Sequence, residues 1–158
     1  MTDRVLVCVP VDAAQADRIA AGQSLEGSVQ GFTANPALHE TFGLAASEDE
    51  QAEYATLLLA GLWGLIHHGE RLVLTAMIDP RTLGPGDEVA NGGVSVSDLR
   101  ASSVEAWFSD DEHLDSGALH AALAGLCLDD AWDLPQVQAL HTEHDLAWHS
   151  VTELATRP

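Results

Sequence analysis

Leu57-Leu58-Leu59-Ala60-Gly61-Leu62-Trp63-Gly64-Leu65-Ile66-His67-His68-Gly69 is followed, after a single glutamate, by Arg71-Leu72-Val73-Leu74-Thr75-Ala76-Met77-Ile78. This junction decides the fold class. Upstream, Ala55, Leu58, Leu59, Leu62, Leu65 and Ile66 recur at the spacing of one broad helix face. Ser47 and Glu50 stand as a capping box before it, and Glu48, Asp49 and Glu50 crowd the positive end of its dipole. Leu58, Leu62 and Leu65 lie along the middle of the stripe and are expected to be fully buried. Gly69 supplies a left-handed stop. Downstream the period changes, and a run rich in apolar residues reads as a buried strand. A long helix feeding such a strand is the signature of a sheet with helices packed on it.

Working outward, Val5 to Val9 is another apolar run and the first strand. Asp12 and Gln15 form a capping box for a helix that buries Ala13, Ala16, Ile19 and Ala20 and ends near Gly22. Val29 to Ala34 reads as a strand, and Asn35-Pro36 opens a short helix that stops at Gly43. Residues 79–93 carry two prolines and four glycines without a period, so they are expected to form a surface loop. Val94 and Val96 suggest a short strand, and Val104 to Phe108 a stronger one. Ala118, Leu119, Ala122, Leu123 and Leu126 mark a helix capped by Asp115 or Ser116. Leu128 to Leu140 is ambiguous, broken by Pro135; Leu146-Ala147-Trp148 reads as a last strand, and Ser150 to Glu153 as a final turn. The expected order is β-α-β-α-α-β-(β)-β-α-β: an α/β domain over residues 1–158, with a mixed sheet of about five strands. A two-layer α+β or split βαβ arrangement remains an alternative at this level.

Composition bounds the function. The chain has 158 residues, 46% of them hydrophobic, enough for one real core. No run approaches the roughly 18 to 20 apolar residues that cross a bilayer, and two cysteines suggest free thiols and a cytoplasmic setting. Six basic residues, all arginine, against 25 acidic ones give a net charge of −19. That charge repels nucleic acid and anionic membranes and favours basic protein partners or cations.

Without lysine there is neither a P-loop nor Schiff-base chemistry. No G-x-G-x-x-G follows a strand, and neither G-x-S-x-G nor H-E-x-x-H occurs. His141, His144, Asp145 and His149 are the candidate metal ligands, because imidazoles with a nearby carboxylate suit Zn²⁺ or Ni²⁺. Asp110-Asp111-Glu112 follows a strand end and offers oxygen ligands for Mg²⁺ or Ca²⁺, with Asp115 better placed as a helix cap. Trp132, set among Asp129, Asp130 and Asp133, is either an anchor for a basic partner or a core ring. Cys8 and Cys127 read as small buried residues. Gly61 and Gly64 would let a strand or a second subunit approach the long helix.

Arg4-Val5-Leu6-Val7-Cys8-Val9-Pro10, Phe32-Thr33-Ala34-Asn35-Pro36-Ala37-Leu38, Glu53-Tyr54-Ala55 within the helix of residues 49–62, residues 104–111, His144-Asp145-Leu146-Ala147-Trp148-His149 and Glu153-Leu154 follow one another along nearly the whole chain. Together they resemble an uncharacterised actinobacterial family of unknown function, single-domain and about the length of this chain. The resemblance implies a bacterial cytoplasmic protein and an aromatic ring such as tyrosine where His149 stands. It carries over no catalytic residue or cofactor.

The features favour a non-enzymatic, protein-binding or regulatory domain with a basic protein partner or a second copy of itself. The alternatives are a small metal-dependent enzyme built on the C-terminal His/Asp cluster and an acidic nucleic-acid mimic.

Overall fold

A computed structural model describes residues 3–110 and 112–157. Seven strands form one sheet in the order β4-β5-β2-β1-β3-β6-β7. They are β1 (Val5–Pro10), β2 (Leu25–Thr33), β3 (Val73–Ile78), β4 (Gly84–Pro85), β5 (Gly93–Leu99), β6 (Val104–Ser109) and β7 (Ala147–Ser150). The helices are α1 (Ala13–Ala20), α2 (Pro36–Thr41), α3 (Asp49–His68), α4 (Ser116–Leu123), α5 (Leu128–Trp132) and α6 (Pro135–Glu143).

Helices packed on a sheet are present as expected, but the sheet has seven strands rather than about five, and every pairing is antiparallel. No split βαβ unit forms, because β1 and β2 are direct antiparallel neighbours, Val7 opposite Thr33 and Cys8 opposite Phe32. Hydrophobic period reports which residues are buried. It carries no information on which strand lies beside which.

β1 and β3 pair along their whole lengths, from Val5 opposite Ile78 to Pro10 opposite Val73, and form the centre of the sheet. Alternation sends Val7, Val9, Leu72, Leu74 and Ala76 to one face, under α1 and a final 3-10 turn (Val151–Thr156). Cys8, Phe32 and Val73 point to the other face, under α2 to α6. These central strands are buried on both sides, which explains their unbroken apolar runs in an antiparallel setting.

The Asp12 box is complete: Asp12 accepts from the Gln15 N–H at 2.8 Å and its own N–H donates to Gln15 Oε1 at 2.9 Å. Asn35 caps α2 by accepting from the Leu38 N–H. The box expected at Ser47 and Glu50 does not form. Glu48 is the N-cap of α3, and its carboxylate turns back to accept from the Ala45 N–H at 2.9 Å. Leu62 and Leu65 are fully buried as expected, but Leu58 is only half-buried, and Leu59 takes its place in the core. Pro135 starts α6 and thereby divides residues 128–143 into two short helices.

Residues 79–93 are more ordered than a surface loop, since they hold β4 and two 3-10 turns. Gln30 bridges to Asp87 through both its amide groups, Asn91 is buried and donates to Asp129, and Glu88 accepts from the Leu128 N–H at 2.7 Å. Gly92 (φ +81°) permits this return: a Cβ there would stand 2.4 Å from the Thr33 carbonyl oxygen. Among the described residues no helix is long and apolar enough to cross a membrane.

Candidate functional site

Two concave surfaces lie on opposite sides of the β6–β7 end of the sheet. The first is a polar cavity of about 810 Å³ bordered by the ends of β3, β6 and β7, the start of α1 and Arg157. Arg71 underlies it at 1% exposure, the largest fully buried side chain. Its Nε donates to Asp110 Oδ1 at 2.7 Å, its backbone N–H to Asp110 Oδ2 at 2.8 Å, and Nη2 to the His144 carbonyl at 2.9 Å. A buried guanidinium persists only when paired and hydrogen-bonded in this way. The absence of a side chain at Gly61 leaves room for its stem: a Cβ there would lie 3.3 Å from Arg71 Cδ. Arg71 Nη1 and His141 Nε2 are buried without hydrogen-bond partners. Burial, reinforced by the Arg71 charge, pushes His141 down to about 4, so its ring is neutral at pH 7.

On the cavity wall, Ser109 Oγ lies 2.9 Å from His149 Nε2. His149 Nδ1 faces Glu153 Oε2 at 3.5 Å, and the ring stacks on Trp107 with centroids 4.0 Å apart. Trp107 is itself fixed by donating from Nε1 to the Ser150 carbonyl at 3.0 Å. The aromatic ring that the family resemblance implies at position 149 is thus supplied by imidazole. Glu70 shares the cavity, and burial raises its carboxyl, helped by the nearby Asp110 charge. Arg157 borders it too, held by Asp17 at 2.7 Å.

The second surface is an apolar groove of about 280 Å³ on the α3 side of the sheet. Leu6 and Cys8 of β1, Thr75 of β3 and Phe108 of β6 form its floor; Tyr54 and Leu57 of α3 form one wall, and Glu50 and Glu53 its rim. Helix α3 packs mainly on β1 and β2 and less on β3. Trp148 stands opposite Phe108 on the outermost strand and is 62% exposed, and Tyr54 is 53% exposed. At the floor, burial pushes the Cys8 thiol up to about 12, so it is inert.

The four residues considered as metal ligands are dispersed. His141 tilts against Trp132 at 4.9 Å; His144 caps α6 and gives its carbonyl to Arg71. Asp145 borders the polar cavity, and His149 is stacked on Trp107. Among the described residues, no three His, Cys, Asp or Glu side chains gather as a metal-binding group. Asp110 is committed to Arg71, Asp115 caps α4 through the Ala118 N–H, and Asp111 lies outside the described residues. Trp132 takes the core alternative, edge-on to Phe42 at 5.4 Å. Asp129 accepts from Asn91; Asp130 and Asp133 are on the exposed side of α5 and just after it. The exposed tryptophan is Trp148, not Trp132. Sequence reasoning missed Arg71, Ser109 and Trp148 because each acquires its role from a strand pairing. The one available signal was an arginine at the mouth of an otherwise apolar strand.

A family of unknown function, DUF6912, matches residues 5–156, and the chain belongs to it. No curated protein and no solved structure matches the chain.

Proposed function

We propose that this member of the DUF6912 family is a protein-binding domain that receives an extended, basic segment of a partner along β7. Trp148, 62% exposed on an edge strand and next to an open apolar groove, carries the reading. A lone exposed apolar residue means little, but a contiguous run from Trp148 over Phe108 to Tyr54 is the kind of patch that marks an interaction site. Strand β7 ends the sheet, so one side of its backbone is free to accept a further strand. Alternate side chains of an added strand would fall beside Trp148. The rim carboxylates Glu50 and Glu53 and the net charge of −19 favour a segment carrying Arg or Lys. The same charge opposes a second copy of the chain as the occupant. A cytoplasmic setting belongs to this proposal and is supported by two unpaired thiols.

The test is selection from a random peptide display library, followed by affinity measurement on the purified chain and on Trp148→Ala. Selected peptides should combine Arg or Lys with a large apolar residue, and Trp148→Ala should weaken them more than about tenfold, as for an interface anchor. Equal binding by the variant, or enrichment of acidic peptides, overturns the proposal. So does a native mass spectrum showing a dimer that Trp148→Ala dissociates, which would assign the edge to a second copy.

A further inference from the structure

We infer that Ser109, His149 and Glu153 form a nucleophilic serine line, able to take the acyl group of a small neutral or cationic ester in the polar cavity. The residues come from three places in the fold. Ser109 is the last residue of β6, His149 lies in β7, and Glu153 follows one turn later in the final 3-10 segment. In the β6–β7 ladder Ser109 is opposite Ala147 and His149 is opposite Trp107. The Ser–His contact is therefore a diagonal one, on the α1 face where Trp107 belongs to the core.

The order of atoms matches the division of labour that such chemistry needs. Glu153 Oε2 faces Nδ1 at 3.5 Å, which favours the proton on Nδ1. Nε2 is then left as the acceptor for the Ser109 hydroxyl at 2.9 Å. The Trp107 stack, with an interplanar angle of 19°, limits rotation of the ring. A base that is held in one tautomer and orientation and touches its nucleophile is the general form of an activated serine.

The surroundings select the substrate class. Ser109 and His149 both border the cavity of about 810 Å³, a volume suited to a small molecule. Leu72, Leu114 and Ala147 provide apolar wall, while Glu70, Glu112 and Asp145 set a negative rim. Arg71 is neutralised by Asp110 and Arg157 by Asp17, so neither offsets that rim. Anionic esters are disfavoured.

The reaction balances with water as the only co-reactant. Ser109 Oγ bonds to the carbonyl carbon as its proton passes to His149 Nε2. The ester C–O bond then breaks, and Nε2 returns the proton to the departing alcohol. Water next attacks the acyl-serine as one of its protons passes to Nε2; the acyl C–Oγ bond then breaks, Nε2 returns that proton to Ser109 Oγ, and the carboxylic acid leaves.

The experiment uses the whole chain, an uncharged alkyl fluorophosphonate and p-nitrophenyl butyrate. The probe should attach to Ser109, as phosphorus exchanges its bond to fluoride for one to Oγ; peptide mass mapping reads the site. Ser109→Ala should abolish both labelling and p-nitrophenol release. His149→Phe preserves a ring on Trp107 but removes both nitrogens, so it should fold with an unchanged circular dichroism spectrum and fail to label. Glu153→Gln should slow labelling by about tenfold or more, through loss of the orienting charge. Absence of an adduct on the wild-type chain, an adduct elsewhere, or labelling that survives in folded His149→Phe overturns the assignment. Trp148 points to the opposite face, so peptide binding stands or falls separately.

Discussion

Removing the Asp110 carboxylate should cost more than removing the arginine it serves. Asp110→Ala leaves the Arg71 guanidinium at 1% exposure, donating to the His144 carbonyl at 2.9 Å but without its counter-charge. A buried charge stripped of its counter-charge typically costs about 3 to 5 kcal/mol, and the Arg71 N–H also loses its 2.8 Å acceptor. Arg71→Met is gentler. It keeps an unbranched stem beside Gly61 and Leu146, removes the buried cation with its desolvation penalty, and leaves Asp110, 17% exposed, still accepting from the backbone N–H. A cost of about 1 to 2 kcal/mol is expected, the size of one or two lost hydrogen bonds. The whole domain should hold about 5 to 15 kcal/mol, so the two variants are well separated. Urea denaturation followed by circular dichroism gives both values, with an unchanged m-value confirming comparable unfolding. The double variant Arg71→Met/Asp110→Ala should sit near Arg71→Met alone, so the coupling is close to the whole Asp110→Ala cost, about 3 to 5 kcal/mol. If Asp110→Ala costs no more than Arg71→Met, the guanidinium is not stranded and the reasoning fails.

His141 is neutral in the folded chain, held down to about 4 from an ordinary 6.5. The unfolded chain therefore binds the extra proton between those values, and stability is lost as pH falls from about 6.5 towards 4. With partial exposure discounted, the loss from this group is about 1 to 2 kcal/mol; His141→Phe should flatten the urea midpoint over that window relative to wild type, and equal slopes would refute it. Leu62→Ala, at a fully buried position, should cost about 2 to 5 kcal/mol against under about 1.5 for half-buried Leu58→Ala; equal midpoints would place Leu58 in the core after all. Cys127 is exposed and should react with a thiol reagent in the native chain, whereas Cys8, buried and pushed up to about 12, should react only in denaturant; two fast thiols would contradict that burial.

The elements legible in the sequence are those governed by neighbours in the chain. Asp12 with Gln15, and Asn35 before Pro36, cap the helices they precede because cap and helix lie within three residues. The failure at Ser47 and Glu50 has the same scale: Glu48 found a nearer partner in the Ala45 N–H, and the helix start moved with it. Leu58 and Leu59 differ by about 100° around the helix, and which of them faces the sheet depends on how α3 is rotated as it crosses β1 and β2.

Periodicity and composition by themselves determined an α/β chain with helices packed on a sheet, two continuously apolar strands, and a net charge of −19. Tertiary structure alone decided the antiparallel seven-strand order. It brought Arg71 to Asp110 across 39 residues and Ser109 to His149 across 40, and it turned Trp132 inward while leaving Trp148 on an open edge. The physical reason is that strand pairing is made by backbone hydrogen bonds, which every residue but proline offers alike. Side-chain identity specifies which faces are buried, while the neighbour across the ladder is settled only when all strands compete for the same core.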